Sequence, residues 1–300
     1  MPQPTADPWL ADFRDLLASG RREEAFVLLE SRSTAHAGTP KSAEKLAAAK
    51  LLIEQDGGRP EELLASAEEL AASSSPTRRE LACVLLPACY ESARTRVQSL
   101  MPVLADDAHW EMRLWAGSHL FAALLGRHLD DLYPIYQRWA SHESQFVRLA
   151  VATSVRDPAH RDHPERAEPF FDLIEPLLSD RAHEVQRNLG PFAIGDAMLR
   201  FFPMPTLERV RAWARSDDEV VRWNAAMVFS AAEARKHVDV ALEVLSDLAR
   251  DRRRFVWQAV SSALGNLAKG DPERLAPILR SWLADERKLP AALALRRIGG

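Results

Sequence analysis

Arginine and tryptophan side chains stand close together at two places in the C-terminal half of the sequence. They are Arg222 with Trp223, and Arg252, Arg253 and Arg254 with Trp257. Guanidinium groups bind phosphate oxygens, and an indole ring can stack on a nucleic-acid base. Both places are therefore predicted to contact nucleic acid. The other basic residues assigned to this surface are Arg187, Lys269, Arg296 and Arg297.

The charge of the whole chain does not favour indiscriminate nucleic-acid binding. The sequence has 39 Lys and Arg against 43 Asp and Glu, a formal net charge of -4. The distribution is uneven, because residues 251–300 contain ten basic and five acidic side chains, whereas residues 151–200 contain six and nine. An anion-binding surface is therefore expected towards the C-terminal end rather than over the whole protein.

Motifs for other chemistry are missing from the sequence. It has no Gly-rich phosphate loop, no nucleophile elbow and no zinc-ligand spacing, so neither a cofactor nor a metal is expected. His160 and His163 share a polar segment, where a metal site is one interpretation and a loop with incidental histidines is the favoured one. Cys83 and Cys89 are six residues apart on a predicted helix and do not share a face, which argues against a disulfide.

The elements that position these residues are predicted to be helices that repeat. Large apolar residues recur at intervals of 34 to 38 residues, at Leu70, Leu104, Trp139, Leu177, Trp213, Leu248 and Trp282. Nine residues after each of the first six stands a position that is most often arginine: Arg79, Arg113, Arg148, Gln186, Arg222 and Trp257. Acidic residues such as Asp180 and Asp251 lie in the turns between.

This spacing predicts antiparallel helix pairs in which the large apolar residue ends the first helix and is buried. Since no pair buries both of its faces alone, the pairs must stack. Arg113, Arg148 and Arg222 are expected to bond to the turn aspartates of adjacent pairs. Trp223 and Trp257 begin second helices, which line the concave face of such arrays, and are therefore candidates for stacking on a ligand.

The predicted fold is all-α, a right-handed α-solenoid of HEAT-like antiparallel helix pairs. The repeats cover residues 60–300 as one continuous domain, and residues 1–59 form an N-terminal helical cap with helices at about 8–19, 22–31 and 41–55. Residues 185–195 include Gly190, Pro191 and Gly195, so this second helix is expected to be kinked. The kink either opens a cleft or sets the curvature of the array, and the second interpretation is favoured.

Two segments resemble the AlkD and AlkC family of DNA alkylation-repair glycosylases, which are HEAT-like proteins. They are Phe255–Glu273, which is similar to the last well-marked repeat of the family, and Trp213–Arg222, which is similar to the repeat before it. The resemblance implies a concave face that holds duplex DNA. It also implies excision of alkylated bases by an acidic residue flanked by aromatic rings.

The residues that the resemblance assigns to catalysis do not match the family. The aspartate of the AlkD type falls on Asn188, its aromatic neighbours fall on Glu184 and Ser262, and its arginine falls at or next to Arg222. In the AlkC register the catalytic glutamate falls on Glu184, but the supporting aspartate falls on Asn266. A register at least one repeat earlier brings Trp110 and Glu111 near the aromatic and acidic positions. Glu184 and Glu111 are thus the catalytic candidates, and the family's catalytic set is not retained.

Three functions follow from the sequence, in order of preference. The first is non-catalytic binding of DNA or another nucleic acid through the concave face. The second is a scaffold for protein interactions, and the third is an active alkylpurine glycosylase. Duplex DNA and a protein are the candidate partners. The N-terminus has no basic or long apolar leader and no stretch is long enough to span a membrane, so a cytoplasmic protein is expected.

Overall fold

The described part of the chain, residues 8–56 and 58–298 of a computed structural model, forms helices and contains no β-strand. The predicted all-α class is confirmed. Contacts group the chain into two compact units, Met1–Leu124 and Leu125–Gly300. The boundary expected between residues 59 and 60 stays a prediction, and residues 1–7, 57 and 299–300 of the two predicted domains lie outside the described residues. No described helix has the length and apolar character to cross a lipid bilayer.

The N-terminal unit begins with helices that match the predicted bounds to within one residue at each end. The first five helices of the chain are α1 (Pro8–Ala18), α2 (Arg22–Glu30), α3 (Ser42–Asp56), α4 (Pro60–Ala71) and α5 (Pro76–Ala105). Their apolar faces bury side chains such as Phe13, Phe26 and Leu52. This burial is the main force that holds short helices together.

Helix α5 consists of two helical segments joined at Ala93, whose φ and ψ of -143° and 41° are not helical. The second segment ends at Ala105, one residue after the buried Leu104, where the repeat spacing predicted a helix end. Cys83 and Cys89 are buried in the first segment as free thiols, so no disulfide links them. The chain continues as α6 (Trp110–Trp115), a π-helical segment π1 (Ala116–Phe121) and α7 (Ala122–Arg127).

The C-terminal unit is a succession of first and second helices joined by turns, by the longer loop after α9 and by the short 3-10 helices Pro164–Arg166, Glu175–Ser179 and Ala232–His237. Its helices are α8 (Leu129–Trp139), α9 (Gln145–Ser154), α10 (Ala167–Ile174), α11 (His183–Asn188), the π-helical π2 (Leu189–Met198), α12 (Leu199–Phe201), α13 (Pro203–Trp213), α14 (Glu219–Val228), α15 (Val238–Leu248), α16 (Arg254–Gly270), α17 (Pro272–Trp282) and α18 (Lys288–Ile298). The second helices α14, α16 and α18 pack side by side in chain order.

The large apolar residues at the ends of first helices are buried with one exception. Leu104, Leu177, Trp213 and Leu248 are each at most 8% exposed. Trp139 is only half-buried, so its predicted burial is wrong. The reason lies one turn earlier, where Tyr136 is fully buried and its ring lies 5.5 Å from the indole of Trp139. Tyr136 fills the core position of α8 that the repeat spacing assigned to Trp139.

Arg148 and Arg222 bind the turn aspartates of the next pair as predicted, whereas this contact of Arg113 stays a prediction. Nε of Arg148 lies 2.6 Å from the carboxylate of Asp180, and Nε of Arg222 lies 2.7 Å from that of Asp251. Arg148 also donates to the carbonyl oxygens of His142 and Glu143 in its own turn. Arg113 donates to the carbonyl oxygens of residues 107 and 108 in the same manner. A guanidinium fork thus joins a turn to the helix that follows it and, for Arg148 and Arg222, to the next turn.

The helix that contains Pro191 changes its winding instead of ending. It runs from α11 through the π-helical segment π2 into α12. Pro191 has no backbone N–H group to donate. A π-helical segment, whose hydrogen bonds join residues five apart, accommodates this within a continuous helix. Gly190 and Gly195 let π2 approach α14 closely, since a Cβ at Gly195 would lie 2.7 Å from the carbonyl oxygen of Val228. The structure thus shows a π-helical segment around Pro191, and the predicted kink stays a prediction.

Candidate nucleic-acid interface

Two of the arginines predicted to bind phosphate are engaged by one carboxylate. Asp251 accepts hydrogen bonds from Nε and Nη2 of Arg253 and forms an ion pair with Arg222. Burial alone would raise the pKa of Asp251, but the hydrogen bonds from Arg253 and the charges of both arginines outweigh it and lower the pKa. Arg253 also donates to the carbonyl oxygen of Asp217. Holding adjacent turns together is therefore the role that these contacts support for Arg222 and Arg253.

Four other predicted cations are exposed. Within residues 8–56 and 58–298, the side chains of Arg252, Arg254, Lys269 and Arg296 make no hydrogen bond or ion pair. The remaining two are also exposed but have partners: Arg187 lies 3.7 Å from Glu184, and Arg297 donates to the carbonyl oxygen of Ser261 at 3.4 Å. The positive excess of the C-terminal segment is thus carried largely by side chains that are available to an anion.

Arg252 and Trp257 line the same cavity, which we call the Trp257 cavity. Its volume is about 330 Å³. It is lined by Ala249, Arg250, Asp251, Arg252, Trp257, Glu286, Leu289 and Pro290. The cavity combines a half-buried indole ring with an unpaired guanidinium group, which are the two groups needed to hold a ring and a phosphate.

A second aromatic surface lies at the start of α14 and α16. The rings of Trp223 and Phe255 are stacked, with centroids 5.4 Å apart and planes 12° apart. Both side chains are half-exposed. The sequence pointed to Trp223, whereas Phe255 was missed as a candidate. The sequence did contain a signal for Phe255, because this aromatic residue directly follows the candidate Arg254 in the first turn of α16.

The catalytic candidate Glu184 lies at the start of α11. It is half-exposed, with His183 and Arg187 at 3.5 and 3.7 Å from its carboxylate. Asn188, one turn later, donates its amide to the carbonyl oxygen of Glu184 at 2.8 Å. Asn266 is likewise bonded to the backbone, through the carbonyl oxygen of Ala231. The two amides that the resemblance aligns with family carboxylates therefore have bonding partners of their own.

The other catalytic candidate, Glu111, belongs to a polar cluster in the N-terminal unit. This Lys45 cluster consists of Lys45, Thr39, Glu80, Glu111 and Trp115. Nζ of the buried Lys45 lies 2.8 Å from Glu80 and 3.0 Å from Glu111, and 4.3 Å from the centroid of the Trp115 ring. The other oxygen of Glu111 accepts from the Thr39 hydroxyl at 2.8 Å. Both carboxylate oxygens of Glu111 are thus occupied. Sequence reasoning missed Lys45 and Glu80.

Burial raises the pKa of Glu80 to about 7, against the lowering effect of Lys45 and with a further rise from the charge of Glu111. Between about pH 4.5 and 7 the folded protein therefore holds a proton that the unfolded chain has released. Stability should fall as pH rises through this window, by up to about 3 kcal/mol.

Urea denaturation at pH 5 and pH 8, with Glu80→Gln as the comparison, measures this effect. The wild type should lose more stability between the two pH values than the variant does. Equal losses in the two proteins would show that Glu80 does not titrate in this range.

The two units thus consist of paired helices. Arg254, Phe255 and Trp257 lie at the start of the second helix α16, and Arg252 lies in the turn before it. Residues 192–297 match the family model described as DNA alkylation repair enzyme. This range contains both segments on which the resemblance was based, and the resemblance is confirmed. No curated protein matches the chain. Among solved structures, the X-ray structure of YibA from Escherichia coli has 16% sequence identity and a TM-score of 0.41, and the similarity covers 100% of this chain and 99% of that one.

Proposed function

We propose that the C-terminal unit binds duplex DNA through the starts of its last second helices, without excising alkylated bases efficiently. The observation that carries the proposal is the pairing of Arg252 with Trp257 in one cavity, with the unpaired Arg254 beside it. The match of this region to a DNA alkylation repair family supports DNA as the ligand.

The start of α16 suits a phosphate group better than the start of α14. Helix α14 has an acidic residue in its first turn and a side-chain cap from Asp218. Helix α16 has neither a side-chain cap nor an acidic residue in its first turn. Backbone N–H groups at such a helix start are available to an anion, and the helix dipole adds to the attraction. Arg252 and Arg254 flank these groups and bring the charge that holds a backbone phosphate.

The rings add contacts that charge alone does not supply. Trp257 lies half-buried in the Trp257 cavity. The stacked pair of Trp223 and Phe255 is half-exposed, and Phe255 stands two residues before Trp257 in the sequence. Aromatic rings of this kind pack against sugars and exposed bases, at about 1–3 kcal/mol per stacked base. Phosphate contacts set the affinity and its salt dependence, while the rings favour distorted or unpaired positions over regular duplex.

Fluorescence anisotropy with a blunt duplex over a range of salt concentrations tests the phosphate contacts. The double variant Arg252→Ala and Arg254→Ala should weaken binding about tenfold at low salt and should reduce the slope of log K against log salt by about 2. The matched control is Arg274→Ala, because Arg274 is exposed in the same unit but is paired with Asp239. Affinity and slope that stay unchanged in the double variant would rule out this surface.

Base excision is expected to stay at the spontaneous rate. Departure of an alkylated base leaves positive charge on the sugar, which a nearby carboxylate stabilises in an enzyme. Position 188 is an amide, and Glu111 is held by Lys45 and Thr39. Glu184 is the remaining candidate. Free base released from duplex containing 7-methylguanine should match the protein-free control. Release far above it that is lost in Glu184→Gln would establish an active glycosylase instead.

A protein partner is the second candidate function, and one feature favours it. Leu289 lines the Trp257 cavity and is 52% exposed, and Leu283 before it is 43% exposed. Exposed apolar side chains beside a cavity are typical of protein-binding surfaces. In the anisotropy experiment, Leu283→Gln should leave DNA binding unchanged, because Leu283 is not among the residues that line the Trp257 cavity.

A further inference from the structure

The C-terminal unit contains a second polar cavity, which we call the Arg156 cavity. Its volume is about 400 Å³. Its charged and aromatic lining consists of Arg156, Asp157, His160, Asp196, Arg200 and Phe201. One wall is the loop that follows α9, and the other is the end of π2 together with α12. Sequence reasoning favoured a polar loop with incidental histidines here, with a metal site at His160 and His163 as the other interpretation, and it assigned no role to the arginines or to Asp196.

Two guanidinium groups face this cavity. Arg156 is exposed. Its guanidinium carbon lies 5.7 Å from the centroid of the Phe192 ring, and this cation–π contact orients the arginine side chain. In the described part of the chain it forms no hydrogen bond or ion pair. Arg200 is half-exposed, with Nε 3.6 Å from the carboxylate of Glu233. Two arginines at one cavity suit the oxygens of a phosphate group, which take paired N–H donors.

Aromatic and acidic groups complete the cavity. The rings of His160 and Phe201 are stacked, with centroids 5.8 Å apart and planes 29° apart. They offer a flat surface to a planar heterocycle. Asp196 is half-buried, and its burial raises its pKa although the charges of Arg156 and Arg200 lower it. Its carboxyl group can hydrogen-bond the ring nitrogen or amino group of a base.

Asp196 is carried by an unusual piece of backbone. It lies in π2, the π-helical segment fixed against α14 by the close approach at Gly195. Such segments occur often at functional sites, because the wider turn re-aims side chains. The volume of the cavity lies within the usual range of about 300–1,000 Å³ for sites that hold small molecules.

We propose that the Arg156 cavity binds a nucleoside 5′-monophosphate, either free or as the phosphorylated end of a nucleic-acid strand. Arg156 and Arg200 hold the phosphate, His160 and Phe201 stack on the base, and Asp196 accepts a hydrogen bond from it. This site is separate in position from the Trp257 cavity and goes beyond the duplex binding proposed above.

Isothermal titration calorimetry with the four common nucleoside monophosphates tests the site. At least one should bind saturably, and adenosine, ribose 5-phosphate and inorganic phosphate should each bind at least tenfold more weakly than the best monophosphate. Arg156→Gln should weaken binding at least tenfold. The matched control Arg161→Gln changes another exposed arginine of the same loop and should have no effect. Circular dichroism of each variant checks the fold.

Two duplexes separate the sources of the ligand. A duplex with a short 5′-phosphorylated overhang should bind more tightly than the same duplex with a 5′-hydroxyl if the ligand is a strand end. Equal binding of the two, with saturable monophosphate binding, would assign the cavity to a free nucleotide. The proposal is overturned if no monophosphate binds saturably, or if Arg156→Gln and Arg200→Gln both bind as the wild type does. Blunt-duplex binding that depends on Arg252 and Arg254 would survive that result, so the two proposals fail independently.

Discussion

Lys45→Met should lower the free energy of unfolding by about 3–5 kcal/mol at pH 8, because it removes the one cation from a buried group of carboxylates. Lys45 and Glu80 are fully buried, and Glu111 is 13% exposed. At this pH, which lies above the pKa of about 7 of Glu80, the Glu80 carboxylate is charged. Without Lys45, which lowers the pKa of Glu80, this buried carboxyl group would have no cation beside it.

Urea denaturation at pH 8 measures this loss, and two further variants identify its cause. Lys50→Met removes an exposed lysine from the same helix, one that lies 3.8 Å from Glu54, and should cost less than about 1 kcal/mol. The double variant Lys45→Met and Glu80→Leu replaces the buried pair with apolar side chains, and it should regain part of the stability. If the stability lost in the double variant equals the sum of the losses in Lys45→Met and Glu80→Leu, each measured alone, the two charges are not coupled and the explanation fails.

The Lys45 cluster also shows what the sequence could not reveal. Lys45, Glu80 and Glu111 are far apart in the chain and belong to no motif. Only the packing of α3 against α5, and of α5 against α6, brings them together. Sequence spacing reports contacts within one element or between equivalent positions of a repeat. It does not report a single polar contact between non-equivalent positions.

The repeat itself was readable for the same reason. The bonds of Arg148 to Asp180 and of Arg222 to Asp251 join equivalent positions, so periodic spacing predicted them. Arg253 also binds Asp251, and Arg287 binds Asp285 in the same way one turn later. The earlier turns have other residue types at this position, so the spacing did not reveal this contact. The Arg156 cavity was missed similarly, because it joins an irregular loop to a π-helical segment whose winding Pro191 suggested but did not specify.

Equivalent repeat positions need not be equally buried, and Trp139 and Trp213 make this difference measurable. Both end first helices, and the spacing predicted burial for both. Trp213 is 8% exposed, and its ring meets Phe171 edge-on with centroids 6.3 Å apart. Trp139 is half-buried because Tyr136 occupies the core beneath it. A sequence pattern gives the position of a side chain in the repeat. Its burial also depends on whether a neighbouring side chain already fills the core at that position, as Tyr136 does beside Trp139.

Trp213→Ala should therefore lower the free energy of unfolding by about 3–5 kcal/mol, the usual cost of emptying a buried aromatic site. Trp139→Ala is the matched control, since it deletes the same ring from the same repeat position and should cost clearly less. Chemical denaturation of both variants, with far-ultraviolet circular dichroism as the signal, gives the two losses directly. Equal losses would mean that repeat position rather than burial sets the contribution of these tryptophans. A larger loss for Trp213→Ala would show that the burial of the ring sets its contribution to stability.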